Sequence, residues 1–274
     1  MTAFPDGATD CHAHVFGPLD RFAYIPDRSY TPAECRPADY RSMLEAISVS
    51  RGVVVQPSVF GTNNGATLNA IAELGAGRFR GVAVLPPDAP DATFADCDAG
   101  GIRGVRLSDL TKGGVSLVHL ETMADRLRGS GWHIQLFASF SAQPELAERI
   151  RKLPVPVVVD HFGLIDLEGG TDSKGFRVLL ALLTDGHGWL KLSAPYLLSR
   201  NDPPWTDVDA IALRLVSDCP DRLLWGTDWP HPAATQAPHR TLIRACVDRW
   251  ASDAATQRRI LVDNPAALYG FVDP

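Results

Sequence analysis

Eight short apolar runs, each followed by a longer amphipathic stretch, recur along this 274-residue chain. The runs lie around Thr9–Phe16 and at Gly52–Gln56, Arg80–Leu85, Ile102–Leu107, Trp132–Phe137, Val155–Asp160, Trp189–Ser193 and Arg222–Gly226. Their apolar residues are contiguous rather than alternating, the pattern of parallel strands buried on both faces. Helical patterns fill the intervals, at Ala38–Ser50, Asn64–Leu74, Ala92–Ala99, Leu117–Gly129, Gln143–Lys152, Ser173–Asp185, Asp207–Ser217 and His239–Ala251, with a last helix over Asp253–Val262. Repeated β-then-α units predict an α/β chain folded as one (β/α)8 TIM barrel over residues 1–274, a fold of roughly 250 residues. An open doubly wound sheet is the alternative, but no GxGxxG phosphate loop follows the first run.

Composition bears on partners. The formal net charge is −6 and no block of like charges occurs, so a nucleic-acid partner, which needs a basic stripe, is not expected. The five cysteines are scattered without a CxxC pair, which predicts reduced thiols and a cytoplasmic setting. The N-terminal segment lacks the pattern of a signal peptide, and no apolar run approaches the roughly 20 residues that span a bilayer, so no membrane role is expected. The expected partner is a small molecule, and a homo-oligomer is left open. Two stretches are long for simple connections, Gly17–Pro37 after the first strand and Leu197–Thr206 after the seventh. Both would lie at the mouth of a barrel, where such loops carry function.

The chemistry-bearing residues cluster at strand ends. In Asp10-Cys11-His12-Ala13-His14, two histidines two apart on a strand share a face. They would bind a divalent metal or donate to a substrate oxygen. His161 follows the apolar Val157–Val159, and Asp160 before it is expected to point the other way. Asp228, in LWGTDWPHP at the end of the eighth strand, would stand beside His12 and His14 as a base for water, with His231 close by. Arg106 ends the fourth strand and would grip a carboxylate, or else pair with a local acid such as Asp109. Lys112 follows in a glycine-containing loop, and Lys191 shares a face with Ser193 in the seventh strand. His133 starts the fifth strand, the wrong end for the mouth. No GxSxG elbow or Walker A loop is present.

Together, DCHAHVFGP (10–18), PDRSYTP (26–32), GVRLS (104–108), VVVDHFG (157–163), LWGTDWPHP (224–232) and LVDNPAALYGF (261–271) resemble the amidohydrolase superfamily, from Asp10 to about Tyr269. The closest resemblance is to the 2-pyrone-4,6-dicarboxylate lactonase branch, which also holds sugar-acid lactonases and a lactone isomerase. It implies a hydrolase that opens a carboxylated or hydroxylated lactone without a metal cofactor. His12, His14 and His161 would polarise the carbonyl, Asp228 would activate water, and Arg106 and Tyr30 would hold the substrate. Phe137 stands where metal-binding members carry a fifth-strand histidine. Leu164 and Leu197 stand where the dicarboxylate lactonase carries arginines, and Lys112 replaces a further one. Phe137, Leu164 and Leu197 are thus expected to form an apolar wall, and Arg106, Lys112 and Tyr30 an acid-binding side. The alternative is a Zn2+- or Mn2+-dependent hydrolase or nonoxidative decarboxylase with His12, His14, Asp228 and His161 around the ion.

Overall fold

The contiguous apolar runs form eight parallel strands in one sheet, each bonded to the next in chain order. The computed structural model describes residues 4–234 and 238–272. The strands are β1 (Thr9–Ala13), β2 (Arg51–Val55), β3 (Phe79–Ala83), β4 (Ile102–Leu107), β5 (His133–Leu136), β6 (Val157–Val159), β7 (Trp189–Leu192) and β8 (Leu223–Trp225). A parallel bridge between Ala13 and Trp229 brings the end of β8 back to β1 and nearly closes the barrel.

Helices alternate with the strands: α1 (Pro37–Ala46), α2 (Gly65–Leu74), α3 (Asp91–Ala99), α4 (Leu120–Arg126), α5 (Leu146–Ile150), α6 (Lys174–Thr184), α7 (Asp209–Asp218) and α8 (Arg240–Trp250). After α9 (Ala254–Arg258) the chain continues through a wider π-type turn into α10 (Asn264–Tyr269), past the expected end at Val262. The fifth helix is shorter than its sequence pattern, because its entry is a tighter turn in which Leu146 N–H bonds the Gln143 carbonyl.

Side-chain alternation divides the apolar residues into two layers. Val53 and Val55 of β2 point inward with Cys11, Val82, Val158 and Leu224, and Tyr269 and Phe271 pack against that interior cluster. Val54 joins the outer layer between sheet and helices, with Ile71, Leu120, Phe176 and Leu215. This packing fills the lower barrel and leaves the polar residues at the mouth.

Two local features shape that mouth. Three residue steps on β1, Asp10 to Ala13, oppose two on β2, Gly52 to Val54. This bulge lets both Cys11 and the following His12 face inward. Gly226 permits the close approach of β8, since a Cβ there would lie 2.6 Å from the Cβ of His12.

Candidate active site

Three elements deliver the histidines and the acid. His12 and His14 come from β1 and its exit. His161 follows β6 with a left-handed backbone, φ 48°, and Asp228 follows β8 with φ 57°. A non-glycine residue in that conformation costs about 1 kcal/mol or more and persists only where its surroundings hold it. Asp228 is held by its N–H bond to the His12 carbonyl, 2.8 Å, and by its own carbonyl, which accepts from His231 N–H at 2.6 Å. Asp10 ties the same seam from outside the site. Its carboxylate accepts from Thr227 N–H at 2.8 Å, the Thr227 hydroxyl at 2.6 Å and the Tyr40 hydroxyl at 3.0 Å.

The four groups converge on one point. Asp228 Oδ1 lies 3.4 Å from His14 Nε2, 3.5 Å from His12 Nε2 and 4.0 Å from His161 Nε2. His12 Nε2 and His14 Nε2 are 3.3 Å apart. The other carboxylate oxygen, Oδ2, accepts a short hydrogen bond from the Tyr196 hydroxyl, whereas the buried Oδ1 has no hydrogen bond among the described residues. Burial alone would raise the Asp228 pKa. The imidazoles of His161, His14 and His12 outweigh it and hold the carboxyl well below the usual carboxylate range. His12 and His161 are pushed down from the ordinary histidine value, chiefly by burial.

The far nitrogens set the tautomers. His14 Nδ1 faces the Val55 carbonyl at 2.8 Å. A carbonyl only accepts, so Nδ1 carries a proton, and in the neutral tautomer this leaves Nε2 free to accept. His161 Nδ1 lies 2.9 Å from the Ser193 hydroxyl, which can donate to it and leave the proton on Nε2. His12 Nδ1 has two neighbours, Asp160 Oδ1 at 3.2 Å and Lys191 Nζ at 3.3 Å.

Asp160 is the principal correction to the sequence reading. It points into the barrel. Strand alternation puts Val158 inside, and Asp160, two residues on, follows it inward, while the left-handed turn at His161 brings that ring to the mouth as well. Its carboxylate accepts from Arg106 Nε and Gln135 Nε2, each 3.0 Å, and lies 3.4 Å from Lys191 Nζ. Burial opposes ionisation of Asp160, but Lys191, His12 and Arg106 together hold its carboxyl well below the usual range. Arg106 therefore pairs with this acid rather than with Asp109.

Above the convergence lies a cavity of about 200 Å3 lined by His14, Tyr30, Ser58, Arg106, Thr111, Phe137, His161, Leu197, Asp228, Pro232 and Ala233. Tyr30 arrives from the long loop after β1 and Leu197 from the stretch after β7. Phe137 packs edge-on to His161, centroids 5.5 Å apart, and lies under the Arg106 guanidinium at 4.8 Å. Three expected residues are elsewhere. Lys112 pairs with Asp27 at 2.5 Å, with its side chain 61% exposed. Leu164 packs against the outer core. His231 lines a separate cavity of about 560 Å3 with Met43 and Trp229, and burial pushes its pKa down to about 4. Tyr196 is the participant that the sequence did not reveal; its place depends on a left-handed Ala194, φ 49°.

The donor set also fits a divalent ion. Ligand atoms of a tetrahedral Zn2+ with bonds of about 2.0–2.1 Å stand roughly 3.3 Å apart. The unpartnered Asp228 Oδ1 and the facing Nε2 atoms of His12 and His14 have that spacing.

Residues 9–271 match the amidohydrolase family. The chain belongs to that family. It is 36% identical to the 2-pyrone-4,6-dicarboxylate hydrolase of Comamonas testosteroni, over 97% of this chain and 90% of that protein. It is 33% identical to the 4-sulfomuconolactone hydrolase of Hydrogenophaga intermedia, over 98% and 90%. A solved apo structure of an Agrobacterium tumefaciens protein superposes with a TM-score of 0.88 at 28% identity, covering 99% of this chain and 98% of that one. These matches agree with the resemblance read from the motifs. Among the described residues, no helix of this amidohydrolase is long and apolar enough to cross a membrane.

Proposed function

We propose that this amidohydrolase hydrolyses a small carboxylated lactone with water activated by Asp228. The observation that carries the reading is the convergence of three imidazoles on an unpartnered carboxylate oxygen, with Arg106 on the wall of the same small cavity. The names of the two curated relatives, both lactone hydrolases, supply the substrate chemistry.

In this reading Arg106 and Tyr30 hold the substrate acid group. The attacking water gives one hydrogen bond to Asp228 Oδ1 and the other to His14 Nε2. As its oxygen bonds to the ring carbonyl carbon, Asp228 takes a proton. His161 Nε2–H, and His12 when Lys191 donates to its Nδ1, stabilise the developing oxyanion. Collapse breaks the ring C–O bond, and the proton on Asp228 passes to the departing oxygen, giving an open-chain acid. Tyr196 keeps Oδ2 occupied so that Oδ1 faces the water. The three donors expected from the sequence become two donors and one acceptor, because the Val55 carbonyl fixes the tautomer of His14.

The tautomer of His12 separates two versions of this site. With Lys191 donating to Nδ1, Nε2 carries a proton that fills the space between the rings, and turnover needs no metal; Phe137 at the end of β5 adds no ligand. With Nδ1–H donated to Asp160 instead, two bare Nε2 atoms and a carboxylate face one another, a set that calls for a cation. His12, His14 and Asp228 would then hold Zn2+ or Mn2+, with His161 near it, and the ion would supply Lewis-acid polarisation.

The test is turnover of carboxylated lactones before and after exhaustive chelation, with metal analysis of the same sample. Activity that survives with well under one equivalent of metal supports the proton version. Activity lost with the chelator and restored by Zn2+ or Mn2+ supports the metal version. Failure to open any carboxylated lactone overturns the proposed function.

A further inference from the structure

We infer that the substrate of this site carries a single carboxylate and is uncharged at its other end, an inference that rests on the lactone reading above and narrows it. The cavity, about 200 Å3, is smaller than the roughly 300–1,000 Å3 of sites for drug-sized ligands. It admits one small ring with short substituents.

Among the described residues that line it, Arg106 is the one cation. Its Nε is taken by Asp160 and its flat face by Phe137, while its two Nη groups have no hydrogen bond to the described residues. Such a guanidinium edge suits one carboxylate. Three other basic groups among the described residues are committed. Lys112 pairs with Asp27 at the surface, Arg200 with Asp166, and Lys191 is buried beneath the cavity with Asp160 and Gln135.

The part of the wall opposite Arg106 is different in kind. Arg106 ends β4, whereas Pro232 and Ala233 follow β8, half a turn around an eight-stranded barrel. With Leu197, which follows β7, they offer carbon to whatever a ligand projects toward them. A second carboxylate directed there would lose its water without gaining a cation, and would share a very small space with the ionised Asp228. An alkyl group, an ester or a ring hydrogen meets no such penalty.

Ring-matched probes that are not lactones test this without depending on hydrolysis: benzoate, isophthalate and methyl benzoate, titrated calorimetrically into the wild type, Arg106→Met and Leu197→Arg. The expected result is benzoate binding at least tenfold tighter than either other probe, loss of that preference in Arg106→Met, and a gain of at least tenfold for isophthalate in Leu197→Arg. Isophthalate binding to the wild type as tightly as benzoate, or benzoate binding that ignores Arg106, overturns the inference. A benzoate preference in an enzyme that opens no monocarboxylate lactone leaves the ligand class standing and removes the lactone reading instead.

Discussion

Histidines are buried at both ends of this barrel interior, and the two ends treat them differently. At the mouth, His12, His14 and His161 each have Nδ1 engaged by a neighbour and turn Nε2 toward Asp228. At the opposite end, neither nitrogen of His133 has a well-aligned partner among the described residues, and its ring lies edge-on to Tyr269 at 5.3 Å. Burial pushes its pKa down to about 3. Burial by itself makes a histidine neutral and idle. A fixed tautomer and a shared target make it a tool.

The contrast breaks most readily at Asp228. Asp228→Asn keeps the shape and removes the proton acceptor, and should lower kcat on the best lactone by about 10³-fold with an unchanged circular dichroism spectrum. A variant within a few-fold of wild type would make the mouth as idle as the floor. Next is Arg106→Met, which should reduce kcat/KM for carboxylated lactones about 10- to 100-fold and spare their neutral esters, the loss of a charge-assisted pair of about 1.5–3 kcal/mol. Equal losses on both would make Arg106 a partner of Asp160 and nothing more. Tyr196→Phe should lower kcat about tenfold with little change in KM, since it frees Oδ2 of Asp228 without touching the cavity wall; a rise in KM alone would place Tyr196 in binding.

The smallest effect on turnover belongs to the floor. His133→Leu should leave kcat within about twofold at pH 7 but change the pH dependence of stability. The unfolded chain protonates His133 near pH 6.5, whereas the folded protein resists down to about 3. Wild-type stability from this group is therefore present above pH 6.5 and falls by about 1.4 kcal/mol per pH unit as the pH drops through that window. The gap between urea midpoints at pH 7 and pH 5 should narrow in the variant without closing, because the buried His12, His161 and His231 also resist protonation; an unchanged gap would show that His133 contributes nothing to it.

Much of this was legible in the sequence. The eight contiguous apolar runs became the eight strands, and the HxH pair and the aspartate after the last run met where a closed barrel requires. What failed was local geometry. The alternation rule put His161 inside and Asp160 outside, but β6 ends at Val159 and the left-handed turn admits both. Lys112 was misread because its partner, Asp27, comes from a loop 85 residues away. One clue was available: a lysine within the apolar strand WLKLS needs a buried acid, and Asp160, the acid ending an equally apolar strand, is the group it found.

In the proposed mechanism water, poised by Asp228, attacks a ring carbonyl at the mouth. A single turnover in H2(18)O with enzyme in excess tests it directly, by mass spectrometry of the product. The expected product carries one 18O atom, located in the newly formed carboxylate, and Asp228→Asn forms that labelled product about 10³-fold more slowly. A product formed by the wild type without 18O, as an isomerisation or a decarboxylation would give, would contradict it.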